Sequence, residues 1–77
     1  MDGVEETFAE LPLITIIGVE TISIENFINI LEYTDEVIKL KTKLGVVSII
    51  GKNLEARSMN QEQIKIKGII ETVNFEK

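Results

Sequence analysis

The stretch from Val37 to Ile50, VIKLKTKLGVVSII, constrains the fold more than any other part of the chain. In its first half, lysine occupies every second position from Lys39 to Lys43, with aliphatic or threonine side chains between, a period of two that is typical of a strand with one apolar face. Leu44 and Gly45 form the predicted turn. The uncharged, β-branched run that follows suits a strand covered on both faces. The sequence therefore predicts a β-hairpin that other segments must flank.

Further apolar runs predict short strands on either side of this hairpin. Aliphatic and polar side chains alternate at 21–25, 54–57 and 64–75. The run at 13–17 is almost wholly aliphatic and is also predicted to be a strand, with Ile14 and Ile16 on one face and Leu13, Thr15 and Ile17 on the other. Gly51 to Asn53 have turn chemistry, so the chain is expected to turn before the run at 54–57. In the last run the alternation changes phase at Gly68. A glycine bulge there is expected to keep Ile69 and Val73 on the core face.

The segment from Phe27 to Tyr33 fits two structures. Phe27, Ile30 and Leu31 lie on a helical stripe. In a strand, Phe27, Leu31 and Tyr33 would share one face, and Ile28 and Ile30 the other. The strand is the preferred interpretation, because the polar residues after it then form a turn into the central hairpin and make the two strands antiparallel neighbours.

Together these patterns predict an all-β fold, a small antiparallel sandwich or a partly open barrel of about six or seven short strands. Residues 12–77 form a single β domain. Residues 1–11 are acidic and are followed by Pro12, which ends any helix, so they are expected to form an arm or a short N-terminal helix.

Length and composition indicate a domain of marginal stability. A chain of 77 residues buries only about 60–65% of the surface that its unfolded form exposes. It has no cysteine for disulfides, and without Cys or His it lacks the usual ligands of structural zinc, so no metal or cofactor is expected. Because 44% of the residues are apolar, a small core leaves aliphatic surface uncovered. A homo-oligomer is therefore expected.

The net charge of −5 is unevenly distributed along the chain. Residues 1–38 contain nine acids and no base, whereas residues 39–77 contain eight bases and four acids. Two explanations remain open. Acidic early strands can lie beside basic late ones, each exposed pair adding roughly 0.2–1 kcal/mol. Copies can instead associate head to tail, in an assembly that weakens as salt rises.

Several function classes lack the residues that they need. No histidine is present to activate Ser23, Ser48 or Ser58, so no catalytic residue is assigned and an enzyme is not expected. The five glycines stand singly and form no phosphate-binding loop. Nucleic acid is not an expected partner, because the net charge is negative and no aromatic residue is interleaved with the lysines. A small OB-like β-barrel that binds nucleic acid or another ligand is the alternative.

The chain is expected to be cytoplasmic, without direct insertion into a membrane. Its first residues are acidic where a signal peptide carries basic residues before an apolar run. The longest uncharged stretch, Leu11 to Val19, is well short of the roughly 17–20 residues of a membrane-spanning helix.

Three segments together give the chain a family resemblance. The sequences PLITIIG at 12–18, IENFINILEYT at 24–34 and GVVSIIGKNLEARSM at 45–59 resemble the YabP/YqfC family of sporulation proteins, in particular its YqfC branch. The similarity extends over roughly 11–75. The family pattern has a His and a Lys-Gly pair where this chain has Phe27, Ile28 and Asn29, which makes the segment more apolar here.

The resemblance implies a small, non-enzymatic protein made in the mother cell during sporulation, where it takes part in assembling the spore envelope or coat. It also implies a partner, the membrane protein YqfD, and no catalytic residues. Glu25, Asn26 and Tyr33, with Phe27 between them, are the candidate partner contacts. The alternative is that Asn26 caps a turn and Tyr33 packs on the sheet. Self-association is expected through Phe27 and Ile28 or through an exposed strand edge.

Overall fold

The computed structural model describes residues 11–77, which form six antiparallel strands in one sheet. The strands are β1 (Leu13–Ile17), β2 (Thr21–Glu25), β3 (Phe27–Tyr33), β4 (Val37–Thr42), β5 (Gly45–Met59) and β6 (Gln63–Glu76). Their order across the sheet is β1-β2-β6-β5-β4-β3. The predicted all-β class is confirmed, and within residues 11–77 the structure contains no helix. The arm or helix was predicted for residues 1–11, and all but the last of these lie outside the described part.

The predicted central hairpin is formed by β4 and the first part of β5. Ile38 lies opposite Ile49, and Leu40 lies opposite Val47. All four side chains are fully buried, because alternate residues of both strands face the core. Ser48, on the other face of β5, is only 4% exposed. This part of β5 is therefore covered on both faces, as its uncharged sequence predicts.

The two longest strands are continuous, and this differs from the expected turn at Gly51 to Asn53. These residues form an irregularity inside β5, where the register with β6 shifts between Lys52 and Glu55. Asn53 has a φ of 56°, a conformation that Asn accepts more readily than most residues. An extra residue in one strand bends it and strengthens its twist without ending the pairing. Turn-forming residues therefore produce a bend here instead of a reversal.

The bend divides the sheet into two ends that share one core. At one end, β1 and β2 lie beside the first residues of β6; at the other, β3 and β4 lie beside the first residues of β5. One cluster joins buried side chains of both ends: Ile22, Ile24, Ile38, Leu40, Val47, Ile49, Leu54, Ile64 and Ile66. One face of a flat sheet would leave these side chains in contact with water. The sheet therefore curves so that its two ends cover each other.

The phase change in β6 lies three residues beyond the predicted position. Ile70 and Val73 pack against the core, whereas Ile69 is 50% exposed, so the expectation that Ile69 faces the core is wrong. The register skips Glu71, because Ile50 lies opposite Thr72 and Gly51 lies opposite Ile70. Glu71 is therefore the extra residue in β6. Because of it, and not because of Gly68, the side chains on both sides of the shift, Ile70 and Val73, face the core.

Gly68 has a different role from the predicted bulge. Its φ of 152° is accessible mainly to glycine, and a Cβ atom built there would lie 2.6 Å from the carbonyl oxygen of Asn53. The glycine therefore lets β6 approach the irregular part of β5 closely.

β3 is a strand, as preferred, but its faces differ from the prediction. Its register with β4 shifts twice, after Phe27 and after Ile30. Each shift inserts one extra residue, so Phe27, Ile30 and Tyr33 all lie opposite inward-facing residues of β4. These residues are three apart in sequence, a spacing that also fits a helical stripe, yet here they lie on one face of a strand.

The β3–β4 turn and the β1–β2 turn cover parts of the edges of β5 and β6, respectively, that would otherwise be open. The N–H groups of Gly51 and Leu54 donate to the carbonyls of Glu36 and Asp35, over 3.0 and 2.8 Å. On β6, the N–H groups of Gly68 and Ile70 donate to the carbonyls of Glu20 and Val19, over 3.0 and 2.9 Å. These bonds satisfy backbone donors beyond the ends of the regular pairing.

Acidic and basic residues are cross-strand neighbours at two places. The Nζ atom of Lys39 on β4 is 3.8 Å from the Oε1 atom of Glu32 on β3, and Glu55 lies opposite Lys67. Both members of the Lys39–Glu32 pair are exposed, so it contributes little to stability. Glu32 belongs to the acidic part of the sequence and Lys39 to the basic part, so this pair fits the cross-strand explanation of the uneven charge, whereas Glu55 and Lys67 both lie in the basic part.

Candidate functional site

Asn26 forms the corner between β2 and β3. Its φ of 65° is positive, and this left-handed conformation lets the chain change direction within one residue. Its backbone N–H donates to the carbonyl of Glu62 over 2.6 Å. Its side-chain amide donates to the carbonyl of Leu11 over 2.8 Å. The residue therefore joins three segments at one end of the sheet.

An open pocket of about 590 Å³ lies beside this corner. The pairing of β3 with β4 builds one wall, since Phe27 lies directly opposite Thr42. Thr42 is 3% exposed, and its hydroxyl donates to the carbonyl of Gly45 over 2.8 Å, which fixes this side of the pocket. The lining residues are Asn26, Phe27, Ile28, Lys41, Thr42, Lys43 and Glu62.

The pocket combines apolar surface with charges of both signs. Phe27 is partly buried against the core, and Ile28, the extra residue at the first shift of β3, is 57% exposed. Lys41 and Lys43 bring ammonium groups, and Glu62 brings a carboxylate. Such a surface suits a protein segment that presents an apolar side chain with a charged neighbour.

Two of the predicted contact residues lie outside this pocket. Glu25 ends β2, half-buried between Leu13 and Gln63 of the neighbouring strands. Tyr33 ends β3, six residues from Phe27 and so roughly 20 Å away along the strand. Its hydroxyl accepts a hydrogen bond from the N–H of Ala56 over 2.7 Å. The structure thus brings Asn26 and Phe27 together, with Glu25 next in the chain, and separates Tyr33 from them.

Five lining residues were not among the predicted partner contacts: Ile28, which was predicted only for self-association, and Lys41, Thr42, Lys43 and Glu62. The alternation of lysines in the hairpin was visible in the sequence, but it does not give the register against β3. That register depends on the two extra residues in β3. Glu62 comes from a loop distant in sequence, and two backbone features place it here: the pairing of Gln63 with Glu25 and the hydrogen bond from the N–H of Asn26 to its carbonyl.

Among residues 11–77 the structure has neither a grouping of metal ligands nor an unpartnered buried side-chain nitrogen or oxygen. Across residues 11–77, no three His, Cys, Asp or Glu side chains are grouped so that they could hold a metal ion. Every buried side-chain nitrogen or oxygen in this part of the chain has a hydrogen-bond partner. Within residues 11–77 no helix is long and apolar enough to cross a membrane.

Comparison with known proteins relates the chain to one family. Residues 10–77 match the family model described as the YabP family. The chain is also 31% identical over 70 residues to the uncharacterized protein YqfC of Bacillus subtilis (strain 168). That alignment covers 91% of this chain and 75% of the relative.

Proposed function

We propose that this chain, which belongs to the YabP family, acts in sporulation as a non-enzymatic assembly module. Family membership fits a sporulation-related protein. The finer proposal is that it works in the cytoplasm of the mother cell, at the forespore surface, during formation of the spore envelope or coat. There it binds protein partners and a second copy of itself.

The observation that carries this proposal is the apolar surface left exposed on the two end strands of the sheet. On β1, Leu13 and Ile17 are 55% and 60% exposed; on β3, Ile28 and Leu31 are 57% and 51% exposed. Large aliphatic side chains grouped on exposed strands are typical of interaction surfaces. A module that binds through such strands needs no catalytic group.

The proposed partner surface is the pocket at the β2–β3 corner. Phe27 and Ile28 supply its apolar contact, and Asn26 holds the corner that presents them. Glu25 and Tyr33 belong to the same proposed contact set, Tyr33 at the far end of β3. The membrane protein YqfD is the proposed partner. Its cytoplasmic part would supply an apolar side chain with a charged neighbour.

The experiment follows a fluorescent fusion of this protein, under its own promoter, through growth and sporulation. We expect signal only in the mother cell, gathered around the forespore, and dispersed in a strain that lacks YqfD. Ile28→Glu should abolish the gathering, because it places a carboxylate in the apolar part of the pocket. Ile69→Glu is the matched control, since Ile69 is 50% exposed on an inner strand of the sheet and does not line the pocket. Diffuse signal in growing cells would contradict the proposal.

A further inference from the structure

β1 is an end strand with an open backbone edge. Among the described residues, 11–77, it pairs with β2 on one side only, through five consecutive residues without a register shift. Alternate residues of such a strand direct their N–H and C=O groups away from the sheet. The edge is therefore straight and regular, and a further strand can pair with it.

This edge also lacks the usual protection against pairing. Edge strands are commonly blunted by charged residues, bulges or proline. No residue from Leu13 to Ile17 is charged, and Pro12 lies just before the strand. Leu13, Ile16 and Ile17 are 55%, 52% and 60% exposed, so both faces of the strand carry aliphatic surface in contact with water.

The opposite end strand, β3, is protected where β1 is not. Its register with β4 shifts twice, and an exposed charged residue, Glu32, lies within it. The two shifts prevent a regular ladder with a straight strand. Pairing between β1 of one copy and β3 of the next is therefore disfavoured, although it would join the two open ends of the sheet.

We propose that β1 pairs antiparallel with β1 of a second copy, about a two-fold axis at Thr15, and so joins two sheets into one. This inference rests on the proposed assembly function and names the surface through which the copies associate. The register pairs all five residues: Leu13 lies opposite Ile17 of the second copy, and Ile14 opposite its Ile16. Each face then gains matched aliphatic pairs, and no like charges meet, because the strand is neutral.

The test uses charge exchange at Thr15, an exposed residue that the two-fold axis places opposite itself. Sedimentation of the full chain should show a dimer whose dissociation constant hardly changes with salt. Thr15→Lys and Thr15→Glu should each weaken the dimer about fivefold at low ionic strength, because like charges then lie directly opposite each other. An equal mixture of the two variants should dimerise at least as well as the wild type. Thr72→Lys is the matched control, the same change at an exposed residue of β6, and should dimerise normally.

If the mixture of the two variants regains wild-type dimerisation, the substitutions act at the interface. Misfolding would not give this result, because a misfolded variant is not restored by adding a second one. A wild-type monomer, or dimers unaffected by both substitutions at Thr15, would overturn the inference. Open-ended assembly that weakens as salt rises would also overturn it, and would indicate head-to-tail association. A monomer whose fusion still gathers at the forespore would leave the proposed function standing. A β1-paired dimer with diffuse signal in growing cells would remove the proposed function alone.

Discussion

Ile49 and Ile69 show how far the environment of one residue decides its effect. Both are isoleucines in the long strands, and both lie in β-branched runs of the sequence. Ile49 is fully buried at the centre of the core cluster, whereas Ile69 is 50% exposed because the phase of β6 changes after it. The sequence does not distinguish them; the position of one extra residue does.

Ile49→Ala should lower the free energy of unfolding by about 2–5 kcal/mol, since it leaves a cavity among side chains that cannot collapse fully. Ile69→Ala, the same change at an exposed position, should cost under about 1 kcal/mol. Urea denaturation at a fixed protein concentration measures both. Equal losses would show that the core has been placed wrongly.

At the scale of the element, glycines serve two separate needs in these strands. Gly51 has no positive φ, yet a Cβ atom there would overlap the carbonyl oxygen of Ile69 on β6. Gly18, in the β1–β2 turn, has a φ of 60° and no atom within 4 Å of an added Cβ. Space decides the residue at the first position, and backbone conformation decides it at the second.

Substitution by asparagine separates these two needs. Gly51→Ala and Gly51→Asn should both lower the free energy of unfolding, by about 1–3 kcal/mol or more, because neither backbone can move aside. At position 18, Gly18→Ala should cost about 1–2 kcal/mol, but Gly18→Asn should cost clearly less, since Asn tolerates the left-handed conformation. Thermal or urea unfolding gives the comparison. A Gly51→Asn variant as stable as the wild type would refute the close approach.

At the scale of the whole molecule, the two ends of a single curved sheet are held against each other by side-chain packing and by hydrogen bonds. The core cluster joins the two ends, and backbone bonds from Asp35 and Glu36 reach the edge of β5. Tyr33 extends this closure, because its hydroxyl accepts the N–H of Ala56 from the part of β5 beyond the bend. Tyr33 therefore makes its hydrogen bond to a distant residue within its own chain, at Ala56.

Tyr33→Phe should lower the free energy of unfolding by about 0.5–1 kcal/mol, toward the lower end of the range for one hydrogen bond because Tyr33 is 47% exposed. The more specific readout is hydrogen exchange. The amide of Ala56 should exchange faster, while that of Leu54, which donates to a backbone carbonyl of Asp35, should keep its rate. Unchanged exchange at Ala56 would show that the hydroxyl does not close the sheet.

Much of the fold was predictable because it depends on local pattern. The alternation from Val37 onward determined a hairpin with a buried face, and the absence of charge at 46–50 determined a strand covered on both sides. A turn at Asn26 could also be anticipated, and its positive φ agrees with one. The position of Tyr33 against β5 could not, since it joins residues 23 positions apart.

The sequence by itself determined the central hairpin, the all-β class and the neutral, aliphatic character of β1. Alternation, turn residues and charge act over a few neighbouring residues, so they can be recognised without knowing the partner strand. Only the tertiary structure decided that Gly51 to Asn53 bend β5 without ending it, that Ile70 and not Ile69 faces the core, and that Lys41 and Glu62 share a pocket. These outcomes depend on register, and one extra residue in a strand exchanges its two faces.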